Sequence, residues 1–347
     1  MNQCVNCVMD KSAEEITFDE KGVCNFCHQA QKSLREIELD KPNLPKIIEQ
    51  IKKDGNDYDI LIGLSGGIDS STALINAVKL GLRPLCFSMD NGFNSPISDE
   101  NVLRLVEKLK VPFERRVIDL KKFRELQGAF MKSGVPNIEI PTDHIIMALS
   151  FQIASEYGIK WIISGGNVTT ESIMPPSWGY SARDLTHIKD IFKKMTGKRL
   201  KGLPTCGLIK WNWYRWIKKI KTVYLLDYLD YNRKDSIELL QNECGWQDYG
   251  DKHEESIFTK WFQNFYLFEK FSFDKRKAHY SSLINSGQMT RDEALFLLTA
   301  SPVYPELGIE KKVMSYPKHS HDYYKKDEKI WLFLATSIRQ WKKLFQR

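Results

Sequence analysis

A chain of 347 residues, 42% hydrophobic and 27% charged, can bury a sizeable core and is long enough for two domains. No apolar run approaches the roughly 20 residues of a membrane span, and "MNQCVNCVMD" lacks the basic and apolar stretches of a signal peptide, so a cytoplasmic location is expected. The net charge of +7 is concentrated. Thirteen Lys or Arg against four Asp or Glu lie between Ile188 and Ile237, which favours an anionic partner: phosphate, nucleotide, nucleic acid or a lipid headgroup.

In chain order, residues 1–45 come first as a cysteine module and linker; residues 1 to about 30 have few large apolar side chains, so a metal has to stand in for a core. Cys4, Cys7, Cys24 and Cys27 form C-x2-C, sixteen residues, C-x2-C. That is the zinc-ribbon arrangement, in which four thiolates close a tetrahedral Zn2+ site; an iron–sulfur cluster is the alternative use of four thiolates. Gly22 permits the tight knuckle before the second pair, and His28 is expected at the surface. Cys86, Cys206 and Cys244 are scattered singly, and the odd total argues against a disulfide framework. "LDKPNLP", Leu39 to Pro45, reads as a linker.

From residue 46 to 185 strands alternate with helices. Asp59–Leu64 reads as a strand, Ser70–Leu80 as a helix stopped by Gly81, and Pro84–Met89 as a second strand ending at "DNG". Ser98–Leu109 reads as a helix with Ser98 as its N-cap, and Glu114–Ile118 as a third strand. A helix follows from Pro141 and Thr142 to Gly158, with Thr142 or Asp143 as its cap, and then the strand Trp161–Ser164. Strands joined by helical crossovers predict an α/β fold with a parallel sheet covered on both faces. Residues 186–347 read as helices rich in aromatic and basic residues, among them "WNWYRWIKKIKTVYLLDYL" and "IWLFLATSIRQWKKLFQR". Trp and Tyr filling a core is the ordinary reading of such helices, and interfacial contact with a membrane is the other.

"DILIGLSGGIDSS", Asp59 to Ser71, runs a strand straight into a small polar loop. Parallel α/β sheets bind ligands beyond the carboxyl ends of their strands, where the next helix presents free N–H groups. Gly66 and Gly67 let the backbone approach an anion, and Ser65, Ser70 and Ser71 offer hydroxyls. Asp69 would repel phosphate unless a cation stood between them, so it is assigned to Mg2+. The pattern is neither a Walker A loop nor a dinucleotide fingerprint.

"SGGIDS" after a strand resembles the pyrophosphate loop of the N-type ATP pyrophosphatases, which cleave ATP between its α and β phosphates and adenylate a substrate oxygen. The resemblance implies ATP held by Ser65, Gly66, Gly67, Asp69 and Ser70, adenine against Met89 and Asp90, and Gly165 with Glu171 as the position of a second Mg2+ ligand. "C-x-x-C…C-x-x-C", "SGGIDSS", "MDNGFNS", "TDH" and "GGNVTTES" together resemble the N-acetyl sugar amidotransferases of bacterial surface-polysaccharide biosynthesis. That resemblance covers about the first 185 residues. It implies a five-stranded parallel sheet, and conversion of an acetamido group on a nucleotide-linked sugar into an acetamidino group. Asp69 and Ser65 would be catalytic, with His144 orienting substrate or relaying a proton.

The residues themselves show no glutaminase: Asn2 follows Met1, and neither Cys86 nor Cys206 has a nucleophile's setting. Ammonia is either free or delivered. The family's partners are a glutaminase similar to that of histidine biosynthesis and a cyclase-like subunit. A tRNA thiolase is the rival, which the basic region would suit and the lack of catalytic cysteines near the loop would not. A binding protein built on a decayed site is a third reading, opposed by the intact Ser65, Asp69 and Ser70.

Overall fold

The computed structural model describes residues 2–250 and 254–327; the expected terminal helix from Ile330 lies outside the described residues. Helix α1 (Asn25–Asp40) grows directly from the second cysteine pair, a short 3-10 turn follows, and α2 (Leu44–Asp54) begins at once. The expected linker is therefore helical. Pro42 and Pro45 each sit in the first turn of a helical segment, where a missing N–H leaves nothing unpaired.

Next come β1 (Ile60–Gly63), α3 (Ile68–Lys79), β2 (Pro84–Asp90) and α4 (Pro96–Leu109). The cap of α4 is Ser95, not Ser98: Pro96 takes the first helical position, and Ser95 Oγ accepts the Ser98 N–H at 3.1 Å. After β3 (Phe113–Val117) comes a helix that sequence reading missed, α5 (Leu120–Ser133), capped by Asp119. Helix α6 (Ile140–Glu156) starts earlier than expected. Glu139 occupies its N-cap position, so Thr142 and Asp143 lie inside the first turn rather than at the cap. Then follow β4 (Trp161–Ser164), the single turn α7 (Val168–Glu171) and α8 (Leu185–Thr196).

The stretch expected as one long basic helix is broken. Helix α9 (Leu208–Asn212) continues in π-helical form over Trp213–Ile217, Lys219 adopts a left-handed φ of 57°, and β5 (Lys221–Tyr224) follows. Thr222 and Val223 are β-branched and suit that strand. Among the described residues the sheet has five strands, all parallel, in the order β3-β2-β1-β4-β5. Its last strand comes from beyond residue 185, so the expected boundary at 185 cuts through the sheet.

Alternation along β1 sorts its side chains between two cores. Ile60 and Ile62 face a core with α3, α4 and α10 (Arg233–Cys244), while Leu61 faces one with α5, α6 and α8. The second core also takes in the cysteine segment and the C-terminal helices α11 (Ile257–Trp261, continued in π-helical form to Lys270) and α12 (Lys275–Asn285); α13 (Arg291–Leu297) and α14 (Glu310–Met314) follow. Helix α12 touches both the cysteine segment and the turn beside α7: Ser281 Oγ accepts the Val8 N–H at 3.2 Å, and Ser282 Oγ accepts the Ile173 N–H at 3.1 Å. The N-terminal module is thus clamped rather than appended, with Arg291 Nε donating to the Cys7 carbonyl at 3.1 Å.

Candidate functional site: a phosphate-type loop facing a two-walled cleft

The four cysteines converge. Cys4 Sγ lies 3.9 Å from Cys27 Sγ and Cys7 Sγ 3.7 Å from Cys24 Sγ, and all four sulfurs fall within 4.8 Å of one another. Thiolates about 2.3 Å from one tetrahedral ion would stand about 3.8 Å apart, so the donor set fits Zn2+. An iron–sulfur cluster spreads its thiolates over several irons and needs a wider cage. Backbone and amide N–H groups surround the sulfurs: Cys24 N donates to Cys4 Sγ at 3.2 Å and Asn285 Nδ2 to Cys27 Sγ at 3.3 Å. His28 points away, paired with Asp19 at 2.9 Å on the surface.

Strand order places β1 beside β4, the switch point from which successive crossovers lead to opposite halves of the sheet. The loop Ser65–Gly67 leaves the carboxyl end of β1, and Gly165 leaves that of β4. Gly66 has φ 79°, and a Cβ there would lie 2.2 Å from the Ser98 carbonyl oxygen; one on Gly165 would lie 2.9 Å from Ser70 N. The first loop therefore lies against the α4 backbone, and Gly165 against the first turn of α3. Ser70 Oγ turns inward and donates to the Gly67 carbonyl at 3.3 Å, while Gly67 N–H donates to Ser65 Oγ at 3.2 Å. Ser71 does not join them, since it is fully buried in α3.

A cavity of about 180 Å³ beside the loop is lined by Asp69, Gly165, Glu171, Arg233, Tyr249 and Glu255, among others. Tyr231 OH donates to Asp69 Oδ1, and burial together with the Asp69 charge holds that phenol far above its ordinary pKa. Tyr249 OH accepts the Ile68 N–H at the start of α3 (3.2 Å), and Ser65 Oγ donates to Glu255 Oε1 at 3.1 Å. Under α7, Asp227 is pushed up to about 6 by burial and by the charge of Glu171. This is a carboxylate-rich pocket that a cation would neutralise. Among the described residues only the cysteines bring three or more ligating atoms within 4.8 Å, so Asp69 and Glu171 do not form a closed cage. Such a pair suits Mg2+, which keeps waters and takes phosphate oxygens beside one or two carboxylates.

The loop also opens into a cleft of about 1300 Å³. Met89 lines it, together with Phe87 and Asn91. Asp90 does not: its carboxylate closes the turn by accepting the Gly92 N–H at 2.9 Å. His144 is also placed differently from expectation. It is 1% exposed, Nδ1 donates to the Ala182 carbonyl at 2.6 Å, and Nε2 accepts the Cys206 N–H at 3.1 Å. Burial lowers its pKa, so a neutral ring with both nitrogens engaged braces the backbone and carries no proton to the cleft. Two polar atoms lining the cleft, Thr142 Oγ1 and Glu255 Oε2, are buried without a hydrogen-bond partner among the described residues.

Under the cleft wall, His187 Nε2 meets His321 Nδ1 at 3.0 Å. Burial lowers His187 to about 4 and His321 to about 2. Both stay neutral in the folded chain below the ordinary value of 6.5, where the unfolded chain takes up protons. Stability is therefore complete above pH 6.5 and falls as pH drops toward 4. At pH 5 His187 alone should cost about 2 kcal/mol. Urea melts at pH 7 and pH 5 check this: His187→Phe should flatten the pH slope, and an unchanged slope would refute the assignment.

Residues 255–326 match the family described as "LPS biosynthesis protein WbpG-like, C-terminal domain". That stretch is similar to the C-terminal domain of WbpG-like proteins. It begins at Glu255, against the loop, and supplies the cleft's far wall through Thr259, Phe262, Phe273, Lys275, His279 and Lys318. The curated relatives match only in part. An uncharacterised protein of Methanocaldococcus jannaschii is 27% identical over 168 residues, 47% of this chain and 58% of the relative. The glutamine-hydrolysing GMP synthase of Wigglesworthia glossinidia brevipalpis is 32% identical over 111 residues, 28% of this chain and 20% of the relative. The chain thus spans less than two thirds of either relative. Among solved structures, the NH3-dependent NAD synthetase of Campylobacter jejuni is 18% identical with a TM-score of 0.30, covering 61% of this chain and 93% of that one. A tRNA thiolase of Methanococcus maripaludis is 13% identical with a TM-score of 0.32, covering 92% and 97%. Superpositions that loose carry no conclusion.

Sequence reading missed Glu255, Tyr231 and Tyr249, which lie at least 160 positions from the loop they contact. Asn91 was legible, since it stands in the quoted "DNG" turn.

Proposed function

We propose that the chain is an ATP-dependent amidotransferase that converts an acetamido group of a nucleotide-linked sugar into an acetamidino group, with release of AMP and pyrophosphate. One observation carries the reading: the Ser65–Ser70 loop, at the switch point of a parallel sheet, opens into a cleft whose opposite wall is the WbpG-like domain. A drug-sized ligand fills about 300–1,000 Å³. The cleft, at about 1300 Å³, has room for ATP and a second substrate.

In this reading the N–H groups of Gly66, Gly67 and Ile68 and the start of α3 take the β and γ phosphates, exchanging Ser65 and Tyr249 for phosphate oxygen. Phe87, Met89 and Asn91 take the adenine. Asp69 and Glu171 would hold Mg2+, which neutralises charge as pyrophosphate departs. Tyr231 fixes the Asp69 carboxylate. On the far wall, Lys275 and Lys318 offer cations and His279 a ring nitrogen to the sugar's phosphates, beside Trp178 and Phe273. The amide oxygen attacks the α phosphorus and pyrophosphate leaves. Ammonia then adds to the imidate carbon and AMP departs with the former amide oxygen. An amide oxygen leaves poorly by itself, so adenylation is what makes the exchange feasible.

Cysteine chemistry does not favour the thiolase alternative. Burial pushes the Cys86 thiol up to about 12 and that of Cys206 up to about 11, and both side chains are fully buried. The same burial removes them as glutaminase nucleophiles, so ammonia comes from solution or from a partner glutaminase, with a cyclase-like subunit as the second partner. Incubation with ATP, ammonium and a panel of UDP- and CMP-linked acetamido sugars should yield AMP and the small mass loss of exchanging O for NH. Glutamine in place of ammonium should give no product with the chain alone. Formation of ADP, or glutamine turnover by the isolated chain, would overturn the reading.

A further inference from the structure

Helix α9 and its continuation, Leu208–Ile217, are apolar on two sides. The inner side, with Trp211 and Tyr214 each 3% exposed, packs on α6, where the Tyr214 ring stacks on Phe151 at 5.5 Å. The outer side should then be polar. Instead Ile209 is 87% exposed, Trp213 42%, Trp216 60% and Ile217 68%. These four positions, spaced by four, three and one, share one helical face. Leaving two tryptophans and two isoleucines together in water is costly unless something covers them.

The charges around this face say what covers it. From Ile191 to Leu226 the sequence has ten Lys or Arg and no Asp or Glu. Lys210, Lys218 and Lys219 are exposed beside the four apolar residues, and Lys218 Nζ stands 5.0 Å from the Trp213 ring. Protein–protein interfaces are depleted in lysine. Tryptophan and isoleucine ringed by lysine is the composition that seats at the boundary between lipid headgroups and acyl chains, where indoles take the interfacial layer and lysines reach the phosphates. No described helix is long and apolar enough to cross a membrane, so the contact is interfacial. Strand β5, paired along its length with β4, follows the helix directly and holds this surface preformed.

We infer that the Ile209–Trp213–Trp216–Ile217 face, with Lys210, Lys218 and Lys219, seats the protein on an anionic lipid surface. The experiment sediments the full chain with phosphatidylcholine vesicles, with and without phosphatidylglycerol, at low and high salt, and follows tryptophan emission. Wild type should bind the phosphatidylglycerol vesicles at low salt, shift its emission to the blue, and release as salt rises. Trp216→Glu with Ile217→Ser should weaken binding at least about tenfold by removing the buried apolar area. Lys218→Glu with Lys219→Glu should weaken it by a similar factor, about fivefold for each cation removed. All four side chains are exposed, so an unchanged Tm and zinc content will show that the variants fold. Failure of wild type to bind, equal binding by wild type and variants, or binding indifferent to phosphatidylglycerol would each overturn the inference. So would a wild type that ignores vesicles but pairs through this face with another protein or a second copy of itself.

Discussion

Replacing Asp69 with Asn should lower AMP formation at least about a thousandfold while changing ATP affinity by less than about tenfold. Asn keeps the size of the side chain and an oxygen that can accept the Tyr231 hydroxyl, so the loop should hold its shape. What disappears is the negative charge assigned to Mg2+, whose effect is greatest as charge builds on the departing pyrophosphate. Ser65→Ala sets the scale for comparison. It removes one neutral hydroxyl, which bridges Gly67 N–H and Glu255, and should cost about 1 kcal/mol, or roughly fivefold. Measuring AMP by rapid quench and ATP binding by calorimetry separates the two effects. Near-normal AMP release from Asp69→Asn would refute the pyrophosphate-loop reading.

Cys24→Ser should have the largest effect on stability. Structural zinc contributes about 10–16 kcal/mol to the folding of isolated zinc-finger peptides. Part of that should survive as a several-kcal/mol loss here and a fall in Tm of at least about 10 °C. Wild type should carry one zinc per chain, and the variant should carry less. The loss should reach the cleft, because Trp178, which lines it, donates from Nε1 to the Ser12 carbonyl at 3.3 Å, and Ser177 Oγ donates to Glu15 at 2.9 Å. Both acceptors belong to the cysteine module. Iron with visible absorbance in the purified protein would refute the zinc assignment, and an unchanged Tm in the variant would refute the structural role.

Local signals carried the reading of β1, its loop and α3 because strand, glycines and helix are contiguous, and each element announces the next. The cysteine site was legible for the same reason. Helix α5 escaped because its amphipathic spacing, Phe123, Leu126 and Phe130, is interrupted by Gly128, a poor helix former. Strand β5 escaped because its four residues sit inside an aromatic and basic run whose periodicity is helical on both sides. The prolines of "LDKPNLP" signalled a break but serve as helix starts, a distinction that depends on which turn they occupy. His144 shows the limit most clearly: its position at a helix start suggested chemistry, whereas the Ala182 and Cys206 backbones that engage its ring are distant in sequence. Glu255 and Tyr249 are invisible to any local pattern, since only tertiary packing brings them to the loop.

The seat of the cysteine module on α12 also has a consequence in time. Ribosomes deliver about 5–20 residues per second, so the roughly 250 residues between Cys27 and α12 take tens of seconds to emerge. During that interval the module can bind metal, but its contacts with Ser281, Asn285 and Arg291 do not yet exist. The edge of β4 likewise waits for β5. The nascent chain therefore completes its cysteine knuckle early and its large cleft last. A stall or truncation before α12 would release a metal-loaded, open-faced intermediate, the kind of species that chaperones exist to shield.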